Sequence, residues 1–420
     1  MYQKTVLDNK LRLLTANMPH TQSVSISLFI GIGSRYETDT EAGISHFIEH
    51  LCFRGTAKHP TAREIATAIE GVGGMLNGGT DKELTTYWCK VAVPHFGLAL
   101  EVLADMLLNS RFEPQDIEKE RRVIVEEINM SFDSPPQRVG MLIDELLWPE
   151  HPLGRDIAGS KKSVNAISRD MMLGYVAGQY RPDNTVVAIA GNIKHEAIVA
   201  AVSQALGNWT NRPQPSEYAN FRGQLAQRFC LETRDIEQAH LCLALPGLSL
   251  VHPRRFTLDL LNIILGEGMS SRLFTEIRDK MGLAYSIHSC VDHFLDCGSM
   301  IIYAGVKPKN LATTIKAILE QLSKLKDEIP EAELTKAKEL AKGRLLLRME
   351  DSRNVAGWMG GQEILTRRIL TPERVMALIN AITAEELKQL AGELLISSQL
   401  RLAVVGPVTA EEPLEELLKL

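Results

Sequence analysis

Polar and apolar residues alternate along several short stretches of the chain, a pattern that predicts β-strands with one buried face. Residues 24–31 read Val-Ser-Ile-Ser-Leu-Phe-Ile-Gly, and residues 85–91 combine Thr, Tyr, Trp and Val. Apolar residues recur at helical spacing in other stretches, such as residues 311–325. Thr61-Ala-Arg-Glu64 is a capping box, which predicts a helix running from there to about Ile69. The alternation of both patterns predicts a chain of the α+β class.

An internal duplication divides this pattern into two similar halves. Three pairs of landmarks have nearly the same offset: strand-ending glycines Gly31 and Gly247 (216 positions), helix-preceding prolines Pro94 and Pro308 (214), and strand-ending glycines Gly191 and Gly406 (215). A constant offset over three landmarks predicts two domains of one fold. We expect each to be a mixed, largely antiparallel sheet covered on one face by helices. The domains are expected at residues 1–210 and 225–420, joined by a Pro-rich polar linker at 211–224.

Composition is ordinary for a globular protein and excludes several partners. The chain has 420 residues, 45% of them apolar, and a net charge of −6 without a dense Lys/Arg tract, so nucleic acid is not an expected partner. No apolar run approaches the ~20 residues of a membrane span. The first ten residues resemble neither a secretory signal nor a transit peptide, and the six cysteines form no C-x-x-C pair. We therefore expect a cytoplasmic protein with reduced thiols in packed positions.

The most informative motif is His-Phe-Ile-Glu-His at residues 46–50. His46 and His50 are four positions apart, so both imidazoles lie on one face of a helix and can reach one metal ion. Glu49 is placed to reach a water on that metal. This H-x-x-E-H order is a zinc peptidase signature, and it would arise by chance roughly 0.02 times in such a chain. The alternative is a pair of histidines on a half-buried helical face.

A catalytic zinc site needs three protein ligands and one open position, so a third ligand must come from elsewhere. The best candidate segment is the strongly helical run at residues 118–129. Glu120 and Glu127 are seven positions apart and share one helix face, which suits a direct ligand and a supporting carboxylate. Taken by itself, the same segment also fits an ordinary solvated helix.

These segments resemble the pitrilysin-type metallopeptidases, the family of insulysin and the mitochondrial processing peptidases. The resemblance rests on residues 43–56, 120–127 and 151–155. It implies that Glu127 is the third ligand of one zinc ion per chain and that Glu120 supports the site. Glu126, the neighbour most easily confused with Glu127, lies about 100° away around the helix.

The second half does not repeat the metal ligands, because an apolar segment at residues 260–265 stands at the equivalent place. It carries Arg278 and Tyr285 instead, seven positions apart as in the family. The resemblance implies that Arg278 holds a substrate carbonyl and that Tyr285 donates to the oxyanion or the adjacent backbone. The alternatives are a surface ion pair of Arg278 with Glu276 or Asp279, and a half-buried strand aromatic for Tyr285.

Asn77 is a further substrate-binding candidate that rests on the resemblance. In the family, the strand at this position pairs with the backbone of the substrate. Here Asn77 is followed by two glycines, whereas the family usually has Ala followed by an aromatic or small polar residue. We expect the missing side chain at Gly79 to open the neighbouring pocket.

The resemblance implies a zinc-dependent endopeptidase with Glu49 as general base. Its expected substrates are unfolded peptides or presequence-like segments, enclosed in a chamber between two chains. A homodimer would build composite sites, with the zinc ligands from one subunit and Arg278 and Tyr285 from its partner. The alternative is a non-catalytic structural or partner subunit, since the family contains members that have lost ligands. A peptidase dedicated to one peptide in cofactor maturation would share the same chemistry.

Overall fold

The computed structural model describes residues 2–210, 217–221, 223, 227–409 and 413–420. These residues form two compact units. The first unit comprises Met1–Ile128, Asp156–Ala219 and Leu346–Thr371, and the second comprises Asn129–Arg155, Asn220–Leu345 and Pro372–Leu420. Most of the linker expected at 211–224 lies outside the described residues.

Within the described ranges, the sheet of the first unit has six strands. They are β1 (Gln3–Val6), β2 (Arg12–Asn17), β3 (Ser23–Ile30), β4 (Met75–Thr80), β5 (Thr85–Ala92) and β6 (Thr185–Gly191). Their order is β1-β2-β6-β3-β5-β4, and only the β2/β6 pair is parallel. β4 is therefore an edge strand of this sheet.

The sheet of the second unit repeats the arrangement of five of these strands. It consists of β7 (Phe229–Thr233), β8 (Ala239–Pro246), β9 (Ala284–His293), β10 (Gly298–Val306) and β11 (Arg401–Gly406). Its order, β7-β11-β8-β10-β9, reproduces β2-β6-β3-β5-β4, including the one parallel pair. The α+β fold with two similar, largely antiparallel sheets is thus confirmed.

Fourteen α-helices lie in the described part of the chain. They are α1 (Ile44–Cys52), α2 (Ala62–Glu70), α3 (Phe96–Asn109), α4 (Pro114–Asp133), α5 (Pro135–Leu147), α6 (Lys161–Ala166), α7 (Arg169–Gln179), α8 (His195–Leu206), α9 (Arg255–Gly266), α10 (Leu311–Asp327), α11 (Glu331–Arg348), α12 (Ser352–Thr366), α13 (Pro372–Ala381) and α14 (Ala384–Leu394). Phe274–Lys280 forms a π-helix. Short 3-10 turns are found at Ser34–Tyr36, Val93–His95, Pro152–Gly154, Pro182–Asn184, Pro308–Asn310, Ser397–Gln399 and Leu414–Leu417.

The first sheet is buried on both faces. Because successive side chains of a strand point to opposite faces, Leu28 and Phe29 of β3 enter two different cores. Leu28 packs in the large core formed with α1, α3 and α8. Phe29 packs in a smaller core with Val355, Ala356 and Met359 of α12. A helix from late in the sequence thus covers the face that the other helices leave free.

The second unit has the reciprocal arrangement. Val139 and Ile143 of α5 pack in one core with Cys242 and Ala244 of β8 and with β11. Each sheet therefore receives one covering helix from the other half of the sequence. The two units therefore differ from the continuous domains expected at 1–210 and 225–420. The physical reason is that a sheet with two apolar faces needs packed helices on both faces, and one of these helices comes from the other half of the sequence.

Two expectations from composition concern membranes and thiols. Within the described residues, none of the helices combines the length and the apolar character needed to cross a bilayer. All six cysteines are free. The expectation of packed thiols is wrong for Cys290, which is exposed on the outer strand β9.

Candidate metal centre

Helix α1 carries the H-x-x-E-H motif and is anchored at its beginning by a buried carboxylate. The Glu37 side chain accepts hydrogen bonds from the backbone N–H groups of Gly43 and Ser45, both at 2.8 Å. A carboxylate at this end of a helix satisfies free N–H groups and interacts favourably with the helix dipole. Phe47 and Leu51 point into the core, which fixes the rotation of the helix about its axis.

His46, His50 and Glu127 converge on one point. The two Nε2 atoms lie 3.1 Å apart. Oε2 of Glu127, on α4, lies 3.8 Å from the first and 3.7 Å from the second. Glu126 is exposed, whereas Glu127 is half-buried. Two helices thus bring together two imidazole nitrogens and one carboxylate oxygen.

This donor set fits a zinc ion. Zinc binds histidine nitrogen and carboxylate oxygen at about 2.0–2.2 Å with tetrahedral geometry, which separates donors by roughly 3.3–3.6 Å. The three observed separations, 3.1, 3.7 and 3.8 Å, bracket that range. Burial, followed by the neighbouring His50, lowers the pKa of His46 to about 4, which keeps it in the neutral, ligating form. The three residues could hold one zinc and leave a fourth position open.

Glu120 contacts the imidazole of His50 on its Nδ1 side. It is 1% exposed, and its Oε2 accepts a hydrogen bond from Nδ1 of His50 at 3.0 Å. Its other oxygen, Oε1, forms an ion pair with Arg54. Because a carboxylate only accepts, Nδ1 of His50 carries the proton and Nε2 keeps its lone pair for a metal. Burial acts to lower the pKa of His50, but the hydrogen bond to Glu120 and the charges of nearby carboxylates raise it overall.

Glu49 lies beside the two histidines in a buried position. One carboxylate oxygen of Glu49 and one nitrogen of each histidine all lie within 4.8 Å of one another. Burial is the main cause that raises the pKa of Glu49, and a hydrogen bond from the Thr80 hydroxyl at 3.4 Å opposes it. A raised pKa makes this carboxylate a stronger proton acceptor than an ordinary exposed glutamate.

A pocket of about 600 Å³ adjoins the motif. It lies between α1, α2 and β4, and residues of both apolar and charged type line it: Glu49, His50, Phe53, Arg54, Ala62, Ile65, Ala66, Glu70, Gly74, Met75, Leu76, Asn77, Trp88 and Glu120. Gly78 permits the close approach of β4, since a Cβ there would lie 2.8 Å from Oε1 of Glu49 and 2.9 Å from the Phe53 ring. At Gly79 a Cβ would meet nothing within 4 Å.

Asn77 lies on the exposed side of edge strand β4 and lines this pocket. Its Oδ1 accepts a hydrogen bond from the backbone N–H of Gly78 at 2.8 Å. This hydrogen bond uses Oδ1 of Asn77 and not its amide nitrogen. The part of Asn77 in binding substrate stays a prediction.

Arg278 and Tyr285 lie together in the second unit. The Arg278 guanidinium carbon is 5.2 Å from the centroid of the Tyr285 ring and 4.6 Å from that of Phe274. Tyr285 is 79% exposed at the start of β9, so the alternative of a half-buried strand aromatic is wrong. Glu276, one of the ion partners considered for Arg278, pairs with Lys280 at 2.7 Å. Their part in binding substrate stays a prediction.

The sequence interpretation assigned no role to three residues that position the site: Glu37, Thr80 and Arg54. Glu37 precedes α1 by several residues, so no helical spacing connects it to the motif. Thr80 reaches Glu49 only because β4 lies beside α1. Arg54 did leave a signal, since it is a cation that follows His50 by four positions.

Comparison with protein families gives two matches that together cover most of the chain. Residues 12–161 match "Insulinase (Peptidase family M16)", and residues 166–340 match "Peptidase M16 inactive domain". The first match contains the H-x-x-E-H motif and Glu127. The second begins after them.

Curated relatives match over nearly their full length. An uncharacterized zinc protease of Mycobacterium leprae is 37% identical over 99% of this chain and 94% of that protein. The uncharacterized zinc protease YmxG of Bacillus subtilis is 35% identical over 97% of this chain and 98% of its own.

Solved structures share the fold at lower identity. A protease from Helicobacter pylori has a TM-score of 0.92 at 23% identity, covering 97% of this chain and 99% of that one. A structure described as a peptidase M16 inactive domain, from Pseudomonas fluorescens, has a TM-score of 0.90 at 20% identity, covering 98% and 99%. A chain of complex III2 from Candida albicans has a TM-score of 0.87 at 19% identity, with full coverage of both chains.

Proposed function

The chain belongs to peptidase family M16, the insulinase or pitrilysin-type family, and on this premise we propose that it is a zinc-dependent endopeptidase of unfolded peptides. One observation carries the proposal. His46, His50 and Glu127 present three donor atoms at separations that suit zinc, and the buried carboxylate of Glu49 lies beside them. A non-catalytic site has no need for a buried base next to a complete ligand set.

In this proposal His46, His50 and Glu127 hold one zinc ion per chain. When bound there, zinc would supply Lewis-acid chemistry, lowering the pKa of a water to ~7 and polarising the carbonyl of the scissile bond. Glu120 keeps the His50 imidazole in the tautomer that ligates through Nε2. Arg54 forms an ion pair with Glu120, the residue that contacts this histidine.

Glu49 acts as the general base and then as the general acid. Its carboxylate takes a proton from the attacking water and delivers that proton to the leaving amine. The raised pKa of Glu49, caused chiefly by burial, suits both transfers. The Thr80 hydroxyl orients the carboxylate.

The pocket and the edge of the first sheet support a peptide as substrate. Among the strands that the structure describes, β4 has a neighbour on one side only, so an extended peptide can add to its free edge as a further strand. The apolar walls from Phe53, Ile65 and Leu76 suit a peptide side chain next to the scissile bond. Asn77 would donate to the peptide backbone from its amide nitrogen. Presequence-like segments are the substrate class proposed, because they are unfolded and can adopt an extended conformation.

A homodimer completes the proposed enzyme. Arg278 would bind a substrate carbonyl, and the exposed Tyr285 hydroxyl would donate to the oxyanion from the partner subunit. The exposure of Tyr285 and its pairing with Arg278 support this role, since a purely structural tyrosine gains most from burial. Two composite sites per dimer follow from the symmetry.

A second candidate is a non-catalytic subunit of a peptidase-like complex. The description "Peptidase M16 inactive domain" for residues 166–340 favours it. That range lies after the zinc motif, however, and the four residues expected for metal and base chemistry are present in the preceding range. The enzyme is therefore the function we propose.

The test is a peptide-library digestion with zinc-loaded wild-type protein and with Glu49→Gln. We expect the wild type to cleave unfolded peptides, and the variant to retain zinc while losing turnover by on the order of 10²-fold or more. Metal content by atomic absorption is the control for an intact site. Near wild-type cleavage by the variant would contradict the mechanism, and the absence of any cleavage by the zinc-loaded wild type would favour the non-catalytic subunit.

A further inference from the structure

We propose that Arg54 is a positioning residue of the zinc site, which acts on His50 through Glu120. The proposal rests on the zinc-binding part of the proposed function. Three groups form a continuous row: the Arg54 guanidinium pairs with Oε1 of Glu120, and Oε2 of Glu120 accepts from Nδ1 of His50. Among the described residues no hydrogen bond or ion pair joins Arg54 to His46 or Glu127, so the contacts connect Arg54 to the metal ligands through Glu120.

The main chain holds Arg54 in place. Arg54 lies two residues after Cys52, the last residue of α1, and its backbone N–H donates to the Leu51 carbonyl at 3.0 Å. The chain then turns at Gly55, where a Cβ would lie 2.4 Å from the Pro60 carbonyl oxygen. Thr56, fully buried, donates its hydroxyl to the carboxylate of Asp105 on α3. A segment fixed on both sides keeps the side chain of Arg54 next to α4.

The burial of Glu120 makes a cation beside it necessary. At 1% exposure the carboxylate has lost almost all contact with water, and a buried charge without a partner is costly. His50 supplies one hydrogen bond, from a neutral imidazole when that imidazole ligates a metal. Arg54 supplies the full positive charge. Without that charge, the Glu120 carboxylate lowers its free energy by turning away from the site toward water. His50 then loses the hydrogen bond that orients its ring.

A competing role for Arg54 is direct contact with substrate. Its side chain is 36% exposed and lines the pocket next to the zinc motif. The two roles differ in what they require. A positioning residue changes metal affinity and depends on Glu120, whereas a substrate contact changes KM and does not depend on Glu120.

The experiment is a double-mutant cycle with Arg54→Met, Glu120→Gln and the double variant. Zinc affinity is measured by chelator competition on the full-length protein without peptide. We expect each single variant to weaken zinc binding by about 10–100-fold, as for other residues that support a metal ligand. In the Glu120→Gln background, Arg54→Met should change zinc affinity by less than about twofold, since the charge it balances is gone.

Two further variants guard against a merely structural effect. Arg54→Lys keeps a positive charge beside Oε1 and should recover most of the zinc affinity, even if Arg54→Met folds poorly. Arg111→Met removes another arginine of the first unit, one that pairs with Glu113 at the surface, and should leave zinc affinity unchanged.

The inference is overturned if Arg54→Met binds zinc as the wild type does, or weakens zinc binding equally in both backgrounds. An increase in KM that persists in the Glu120→Gln background, with zinc affinity unchanged, would assign Arg54 to the substrate instead. Because zinc affinity is read without peptide, loss of affinity in a protein that cleaves no peptide would support the positioning role while it refutes the proposed peptidase.

Discussion

Glu49 is almost completely buried, and the Thr80 hydroxyl is its hydrogen-bond donor from β4. Burial raises the pKa of Glu49, while this hydrogen bond lowers it. Thr80→Val should therefore raise the pKa of the general base further. Because the base must be ionised to accept a proton, the acid limb of kcat/KM should move to higher pH.

The control for this prediction is Thr86→Val. Thr86 pairs with Gly79 on the neighbouring strand, so its side chain points to the face opposite that of Thr80. The measurement is the pH dependence of kcat/KM for one peptide with all three proteins. Identical acid limbs for Thr80→Val and the wild type would show that Thr80 does not affect the pKa of Glu49.

Glu126 and Glu127 provide a matched pair for the third ligand. They are adjacent on α4, but only Glu127 has an oxygen within 3.8 Å of both imidazole nitrogens. Glu127→Gln should weaken zinc binding by at least about 10-fold, and Glu126→Gln should leave it unchanged. Chelator competition measures both. Equal zinc affinities for the two variants would mean that Glu127 is not the third ligand and that Glu49 or another donor takes this position.

At the scale of elements, the beginning of α12 is the point where the covering helix is fixed to the first sheet. Asp351 accepts hydrogen bonds from the backbone N–H groups of Arg353 at 2.9 Å and Asn354 at 3.2 Å, and it pairs with Lys90 of β5. Asp351→Ala should lower the free energy of unfolding by about 1 kcal/mol, the usual effect of removing an N-cap. Urea unfolding measures the change, with the exposed neighbour Glu350→Gln as control. A loss no larger than that of the control would contradict the capping role.

The charge of Asp351 also has a pH signature. Burial acts to raise its pKa, but the hydrogen bonds from Lys90 and from the two backbone N–H groups lower it overall. A lowered pKa in the folded state stabilises the protein above the unfolded-state value of ~3.9, and that stability is lost as the pH falls through the folded-state value. The difference in stability between the wild type and Asp351→Asn should accordingly be present at neutral pH and fade below about pH 4. A difference that is the same at pH 3 and pH 7 would refute this charge effect.

The sequence predicted the elements that have a local signal. α2 begins at the capping box of Thr61 and Glu64, as predicted, and α1, β3 and β5 follow their hydrophobic patterns closely. The exchange of α5 and α12 was missed because a helix's apolar stripe does not state which sheet it will cover. A weak sign was present in β6, where every residue is buried and the sequence is apolar without alternation.

The same distinction between local and long-range signals explains which residues of the site could be predicted from the sequence. His46, Glu49 and His50 lie within one turn of α1, so spacing alone placed them on one face. Glu127 came from the resemblance to a family, because no local rule connects α4 to α1. Thr80, which reaches Glu49 across space from β4, has no sequence pattern that marks it.

At the scale of the whole molecule, the proposed homodimer makes a prediction about mixtures. Glu49→Gln would lack the base, and Arg278→Ala combined with Tyr285→Phe would lack the proposed substrate contacts. If each site uses both subunits, a mixed dimer contains one intact site. Equal mixing should then restore about a quarter of wild-type activity. The measurement is peptide cleavage after subunit exchange.

Light scattering with one mass-labelled protein is the control that mixed dimers have formed. Mixed dimers without activity above the separate variants would show that the two groups of residues do not share a site across subunits. A fully active monomer would rule out the composite arrangement altogether.

The exchanged helices also constrain how the protein is made. The last strand of the first sheet, β6, ends at Gly191, whereas α12, which covers the second face of that sheet, begins at Ser352. At a synthesis rate of 5–20 residues per second, the ribosome needs on the order of 10 s to produce the chain between them. During that interval the nascent sheet carries Leu14, Phe29 and Ala188 on an uncovered apolar face. A chaperone that binds nascent chains would therefore find its target in this face, and truncated products that end before Ser352 should aggregate or be degraded.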